Sequence, residues 1–305
     1  MSSTVSYRHL HRQLPGILGM LKAAVLSGNP LTRPRRLPSL PVHKRQRVAA
    51  MNPALIADYA AWAGAPADRY RDSVPPHFCS HWAMPLLADL GRLAPYNLLT
   101  LLNQGVRLVM HQPIPQGAPL ELAGTLVDVS VEDGRLRIHT RIEASVPGLG
   151  RCLDIDSYAA VLLGKRGGGR RGAREERVWS EAGRWSAGAD DGLRFALLTG
   201  DFNPIHTVPA VGRRTAFGRC ILHGFGQLAR TWETLRNAGI DFSELDIRWI
   251  QPLPLPTLDL AVEVTPAADA QGLLGLRLRS PDGTVHLVGT LRPAGTPGNE
   301  EIRHG

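Results

Sequence analysis

The chain has 305 residues, 43% of them hydrophobic, enough for two ordinary domains or one large one around a real core. No apolar run approaches the roughly 18 residues that a membrane-crossing helix needs. Cys79, Cys152 and Cys220 show neither a CxxC pair nor the Cys/His spacing of a metal site, which fits free thiols in a reducing, cytoplasmic compartment. The formal charge of +8 leaves several partners open: a phosphate-bearing ligand, an acidic carrier protein, nucleic acid, an anionic membrane surface, or none beyond a basic surface.

Residues 7–27 carry Leu10, Leu14, Ile17, Leu18, Leu21 and Val25 at helical spacing, with Arg8, His9, His11, Arg12 and Lys22 around them. Pro15 suits a first turn, so the helix is expected to begin near it. A membrane-surface helix or an organellar presequence fits this pattern, but an arm packed on the body is the preferred expectation. Residues 28–44, with several prolines and Arg33, Arg35 and Arg36, read as an extended linker, which gives an arm and linker over residues 1–47.

An internal repeat follows. The run Tyr59-Ala60-Ala61-Trp62-Ala63-Gly64-Ala65 echoes Phe195-Ala196-Leu197-Leu198-Thr199-Gly200-Asp201, and Gln112-Pro113-Ile114-Pro115 echoes Gln251-Pro252-Leu253-Pro254. The offsets are 136 positions between the two glycines and 139 between the two glutamines, so one duplicated unit with small insertions explains both. Apolar helical stretches at 77–90 and 224–235 occupy matching places. Strands are expected at 121–130, 136–144 and 152–163, then at 258–265, 273–279 and 284–291, from alternating patterns between Gly-containing turns. One helix and several antiparallel strands, twice over, predict an α+β chain in which a helix lies on a curved sheet. The units are placed at 48–164 and 178–293, joined by a basic, Gly-rich linker at 165–177 and followed by a tail at 294–305.

The chemistry concentrates in the second unit. Gly200 breaks a helix, and Asp201, Asn203 and His206 follow within six residues, with Pro204 stiffening the backbone between them. A carboxylate and an imidazole that reach one water can orient it and move its proton near neutral pH. Ile221-Leu222-His223-Gly224-Phe225 then opens a helix, whose free N–H groups form a site for a developing oxyanion. In the first unit the positions of Asp201, Asn203 and His206 are taken by Ala65, Ala67 and Tyr70, so that copy cannot perform the same chemistry.

The two runs Thr199-Gly200-Asp201-Phe202-Asn203-Pro204-Ile205-His206 and Ile221-Leu222-His223-Gly224 resemble the motif of the MaoC-like, R-specific enoyl hydratase (hydratase 2) family. Over nearly the whole chain the arrangement resembles the bacterial double-hot-dog acyl dehydratases, whose N-terminal unit is degenerate. The resemblance implies a tandem hot-dog fold and a hydro-lyase that interconverts trans-2-enoyl and (R)-3-hydroxyacyl thioesters of CoA or acyl carrier protein. It implies Asp201 and His206 as the groups that handle the water, Asn203 as their orienter and the Gly224 N–H as oxyanion donor. Substrate contacts are expected from Ile221, His223, Phe225 and Phe217, with the side-chain role of His223 the less defined. Neither a metal nor a redox cofactor is expected, nucleic acid is not an expected partner, and the pseudo-dimer would be a monomer or a homodimer. Two departures, Ala216-Phe217-Gly218 for the commoner Gly-Phe order and Cys220 where proline is frequent, bear on substrate fit. A hot-dog thioesterase and a non-catalytic acyl-thioester-binding protein are the alternatives.

Overall fold

The computed structural model of the chain describes residues 6–11, 13, 17, 18, 28, 29, 31, 33–97, 101–132, 134–163, 177–215 and 217–295. The expected linker at 165–177 apart from its last residue, most of the tail at 294–305 and much of the helix expected at 7–27 lie outside these residues. Of the N-terminal arm, Leu10, His11 and Gln13 are helical ahead of Pro15, where the helix was expected to start. The arm packs on the body: Arg8 and His9 both bond Asp58, and His9 and Gln13 are buried.

The first unit opens with β1 (Val42–Val48), a strand that falls mostly within the stretch expected to be linker. Its inward-leaning side chains include Lys44 and Gln46, so no apolar alternation announced it. Helix α1 (Pro53–Ala63) is capped by Asn52 and stops at Gly64, whose φ of 101° is left-handed. After β2 (Ser73–Val74), the single helix expected at 77–90 is broken into a 3₁₀ turn (Pro76–Phe78), α2 (Cys79–Trp82) and α3 (Met84–Gly91). Pro85 sits at the second position of α3; with no N–H and a ring that crowds the preceding turn, it begins a helix and cannot continue one. Strands β3 (Leu101–Met110), β4 (Ile114–Pro115), β5 (Leu120–Glu132), β6 (Arg135–Val146) and β7 (Gly150–Leu162) complete the unit.

The second unit repeats the plan. It runs β8 (Ser180–Ala187), α4 (Asp191–Thr199), α5 (Pro204–Thr207), α6 (Pro209–Gly212), β9 (Ile221–Leu222) and α7 (Gly224–Asn237). Strands β10 (Phe242–Trp249), β11 (Leu253–Pro254), β12 (Thr257–Val264), β13 (Leu274–Arg279) and β14 (Val285–Pro293) follow.

Ten strands form one antiparallel sheet in the order β1-β5-β6-β7-β3-β10-β14-β13-β12-β8. Each strand on one side of the β3–β10 pair has its counterpart at the same distance on the other side. Val106 faces Ile247 across that central pair. The two small ladders also correspond, β2 with β4 and β9 with β11. This is an α+β double hot-dog fold: two helix-on-sheet units fused edge to edge.

The helices lie on one face of the sheet. There Ile56, Phe78, Leu86, Phe195, Phe225 and Leu228 join Leu108, Leu122, Ile142, Ile247, Leu278 and Leu287 in one buried cluster spanning both units. Each such side chain contributes about 1.5–3 kcal/mol by leaving water. The opposite face is laced by cross-strand ion pairs. His139 and Arg141 meet Asp156, Arg107 meets Asp156 and Glu244, and Arg277 and Arg279 meet Glu263.

Candidate active site

The site is built where α4 ends. Gly200 takes the left-handed conformation (φ 87°) that lets its N–H close the helix on Ala196, as Gly64 does for α1 in the first unit. Asp201 then makes an Asx turn, its Oδ1 accepting the Asn203 N–H at 3.2 Å. The Asn203 side chain caps α5 by accepting the Ile205 N–H at 3.2 Å, and Pro204 occupies the first helical position. This short helix presents His206. It lies so close to α4 that a Cβ on Gly192 would sit 1.9 Å from the His206 carbonyl oxygen.

The protonation of the two histidines follows from their partners. His206 Nδ1 lies 2.8 Å from the Ile221 carbonyl, which can only accept, so Nδ1 carries the proton and Nε2 of the neutral ring keeps its lone pair. Among the described residues nothing bonds that Nε2. His223 is the N-cap of α7: its Nδ1 accepts the Phe225 N–H at 3.1 Å, which leaves Nε2–H to donate to Asp201 Oδ2 at 3.0 Å. The two imidazoles meet edge to face with centroids 4.9 Å apart.

Gly224 follows as the first residue of α7, and a Cβ there would lie 2.6 Å from the Trp249 ring. Trp249 Nε1–H donates to the Gly224 carbonyl at 3.0 Å, fixing this peptide against β10. The Gly224 N–H has no acceptor among the described residues.

Burial alone would raise the Asp201 carboxyl. The neighbouring His223, with its hydrogen bond, then His206 and the Asn203 N–H outweigh it and hold the group at about 2. Burial pushes the His206 imidazole down to about 4, aided by His223, against the opposing pull of Asp201 and the Ile221 carbonyl. Near neutral pH the site therefore presents a carboxylate beside an unprotonated imidazole nitrogen. Together they can hold a water and accept its proton.

Of the residues expected from sequence, Asp201, His206, His223 and Gly224 come together. Asn203 touches the group through its N–H, while its side chain is occupied by the cap. Ile221 contributes its carbonyl. Phe225, expected at the substrate, is taken up by the core, 2% exposed between His223 and Trp249. Phe217 stands outside, 39% exposed.

Two features had no sequence signal strong enough to be read. Gln13 of the arm reaches the last turn of α4, donating to the Leu198 carbonyl at 2.9 Å beside Gly200. In the first unit, Tyr70 at the position of His206 serves a different group. Its OH donates to Oε1 of Glu233 on α7 at 2.6 Å. His77 Nε2 meets the same oxygen at 2.8 Å, and Arg69 Nη1 meets Oε2 at 2.6 Å. Burial would raise the Glu233 carboxyl, but these three donors, His77 first, keep it below its ordinary range. An acidic residue on the apolar face formed by Leu228, Trp232 and Leu235 was the available clue. A cavity of about 520 Å³ lies alongside, lined in part by Arg69, Tyr70, Trp232 and Arg236.

Among the described residues no helix is long and apolar enough to cross a membrane, and no three or more His, Cys, Asp or Glu are grouped to hold a metal ion. Residues 172–268 match the family model described as the MaoC like domain. No curated protein matches the chain by sequence. Among solved structures, HtdX of Mycobacterium tuberculosis is similar with a TM-score of 0.66 at 20% identity, over 83% of this chain and 100% of that one. A MaoC-like dehydratase from Phytophthora capsici gives 0.64 at 14% identity, over 84% and 96%. The peroxisomal multifunctional enzyme type 2 of Drosophila melanogaster gives 0.62 at 16% identity, over 83% and 48%. At these identities the likeness is one of fold.

Proposed function

With a match to the MaoC like domain over residues 172–268 in a chain of double hot-dog fold, we propose that this protein is a hydratase/dehydratase that adds water reversibly across the double bond of trans-2-enoyl thioesters to give (R)-3-hydroxyacyl thioesters. The observation that carries the reading is the junction of the Asp201 carboxylate, the unprotonated Nε2 of His206 and the open Gly224 N–H. The thioester carbonyl oxygen accepts the Gly224 N–H at the start of α7, which draws electron density from C3 and steadies the enolate; one such donor is worth about 3 kcal/mol in the transition state. Asp201 holds the water. Its carboxyl at about 2 makes it a poor proton acceptor, so the water's proton passes to His206 Nε2 as the oxygen bonds C3. The imidazolium then returns that proton to C2, and one H and one OH have been added. Dehydration is the reverse.

Gly192 and Trp249 support the reading from outside the reacting set. The one lets α5 press against α4, and the other pins the peptide whose N–H would serve the oxyanion. The test is to follow the enoyl-thioester absorbance with a crotonyl-to-dodecenoyl CoA series and to resolve the product on a chiral phase. Consumption of the enone with an (R)-3-hydroxy product is expected. Release of free thiol in place of a hydroxyacyl product would make the protein a thioesterase and overturn the reading. Binding of enoyl thioesters without turnover on any carrier would leave it a binding protein.

A further inference from the structure

The two matching helices end differently. The last four carbonyls of a helix have no partner within it. At the end of α1 the chain turns back on them: the Gly64 N–H reaches the Ala60 and Ala61 carbonyls, and the Ala65 N–H bonds Ala60 at 2.9 Å. At the end of α4 only the Gly200 N–H does so, bonding Ala196 at 2.8 Å. The N–H of Asp201, the counterpart of Ala65, points instead to the Thr199 hydroxyl at 3.5 Å. With the helix end left open in this way, the Asp201 carboxylate turns to His223.

The open carbonyls are taken by side chains from outside the second unit. Gln13 Nε2 of the arm lies 2.9 Å from the Leu198 oxygen and 3.5 Å from that of Leu197. His81 of α2, in the first unit, sets its Nδ1 3.1 Å from the Thr199 oxygen. A carbonyl only accepts, so Nδ1 carries the proton. Burial keeps the His81 imidazole below its ordinary value, against the pull of that carbonyl, and the ring at neutral pH is an uncharged donor. Stacking on Phe78, with centroids 4.8 Å apart and planes 13° off parallel, fixes its direction. The Thr199 carbonyl and the Gly200 N–H belong to one rigid peptide plane. His81 and the Ala196 carbonyl therefore grip that plane from its two edges, immediately ahead of Asp201.

We propose that His81 and Gln13 are positioning residues for the reaction: by bonding the open end of α4, the first unit and the arm set the direction of the Asp201 carboxylate. The proposal rests on the hydratase reading above and extends its site to two elements outside the second unit.

Two measurements on the full chain test it. The first is crotonyl-CoA hydration by His81→Phe, which keeps a flat ring for Phe78 and removes the donor, and by His81→Asn, which returns an N–H near the place of Nδ1. A misdirected carboxylate predicts kcat about tenfold lower in His81→Phe with KM within about twofold, and recovery of most of that loss in His81→Asn. Gln13→Leu, a change in the arm that keeps the first variant's possible failure to fold from deciding the matter, should lower kcat about fivefold with KM unmoved. Unchanged kcat in a folded variant of either residue overturns its role. So does a rise in KM with kcat retained, which would place the residue at the substrate.

The second measurement needs no substrate. Urea unfolding at pH 7 gives the factor by which His81→Phe raises the unfolding constant, in the wild type and again in Asp201→Asn. If His81 acts on Asp201 the factor should be at least about threefold smaller in the second background, as for residues of one network. Equal factors overturn the proposal even where turnover is seen. Absence of turnover by the wild type on every thioester, with the two factors unequal, would refute the hydratase reading and leave the coupling of His81 to Asp201 standing.

Discussion

Replacing Asp201 by Asn tests stability and chemistry together. The carboxylate accepts from two donors that cannot turn away. One is the His223 Nε2–H, fixed because Nδ1 is held by the Phe225 N–H; the other is the Asn203 backbone N–H. An Asn side chain has one acceptor oxygen and one NH₂ group, so one donor must face another donor, at a cost of about 1–3 kcal/mol. Linkage gives an independent figure. The carboxyl ionises at about 2 against an ordinary 3.8, which corresponds to on the order of 2–3 kcal/mol of stability at neutral pH. Because the folded-state value is the lower one, that stability is present above pH 4 and is lost as pH falls toward 2. Urea unfolding of the wild type between pH 6 and 2.5 should show this loss, and Asp201→Asn should start about 2 kcal/mol lower at pH 6 and lack that part of the slope. Hydration of crotonyl-CoA at pH 7 should fall about 100-fold or more in the same variant. Wild-type turnover together with an unchanged pH slope would refute both the hydrogen-bond assignment and the role of Asp201.

Other outcomes follow from the same geometry. His206→Ala should leave a folded protein with kcat lowered about 100-fold or more; unchanged turnover would remove it as the proton acceptor. Since His206 is neutral down to about 4, kcat/KM for hydration should stay level from pH 7 to about 5 and fall tenfold per unit below about 4. A fall centred near 6.5, measured by brief pH jumps, would contradict the burial of that ring. Glu233→Ala strands Arg69, Tyr70 and His77 around an emptied position and should cost about 3–5 kcal/mol, a drop in Tm on the order of 10 °C by calorimetry; a loss under about 1 kcal/mol would refute the clamp. Tyr70→Phe removes one of the three bonds and should cost about 1 kcal/mol with kcat within about twofold. A collapse of kcat in that variant would mean the first unit takes part in the chemistry.

How far the sequence could be read depended on how local each signal was. Gly64 and Gly200 ended their helices as expected because a left-handed closing residue is written in one position and its neighbours. The paired order of helix and following strands was legible for the same reason, since each unit repeats it, whereas the short ladders were not read. Strand β1 was not legible, because its inward positions carry Lys44 and Gln46 and it is made a strand by seven pairings with β5. The break at Ala83 was written in Pro85 and was passed over in favour of the apolar periodicity around it. At the site, the turn-and-cap description and the chemical description of the run from Asp201 to His206 proved to be one structure. Asp201 and Asn203 make the turn and the cap, and those bonds are what place the carboxylate and the imidazole together. The tie from Gln13 to α4 joins residues about 185 apart, and no local pattern encodes it.

The division of labour between the units has a physical basis in α7. That helix begins with His223 and Gly224 at the candidate site and carries Glu233 nine residues beyond Gly224, about 13 Å along its axis. At its start the second unit's own turn supplies the partner, Asp201. Further along, the first unit supplies Arg69, Tyr70 and His77, with Tyr59 bonding the His77 carbonyl. A buried carboxylate with three donors tolerates little displacement, because any shift leaves a charge both desolvated and unpaired. The first unit has Ala65 and Ala67 where the second has Asp201 and Asn203, yet at Tyr70 it keeps a hydroxyl aimed across the interface. Its polar groups hold the helix that the other unit uses. With Ala65 and Tyr70 at those positions, the first unit's loop grips its neighbour's helix instead of a partner of its own. The double variant Ala65→Asp/Tyr70→His should therefore loosen α7, losing stability by an amount comparable to Tyr70→Phe or more while gaining no turnover.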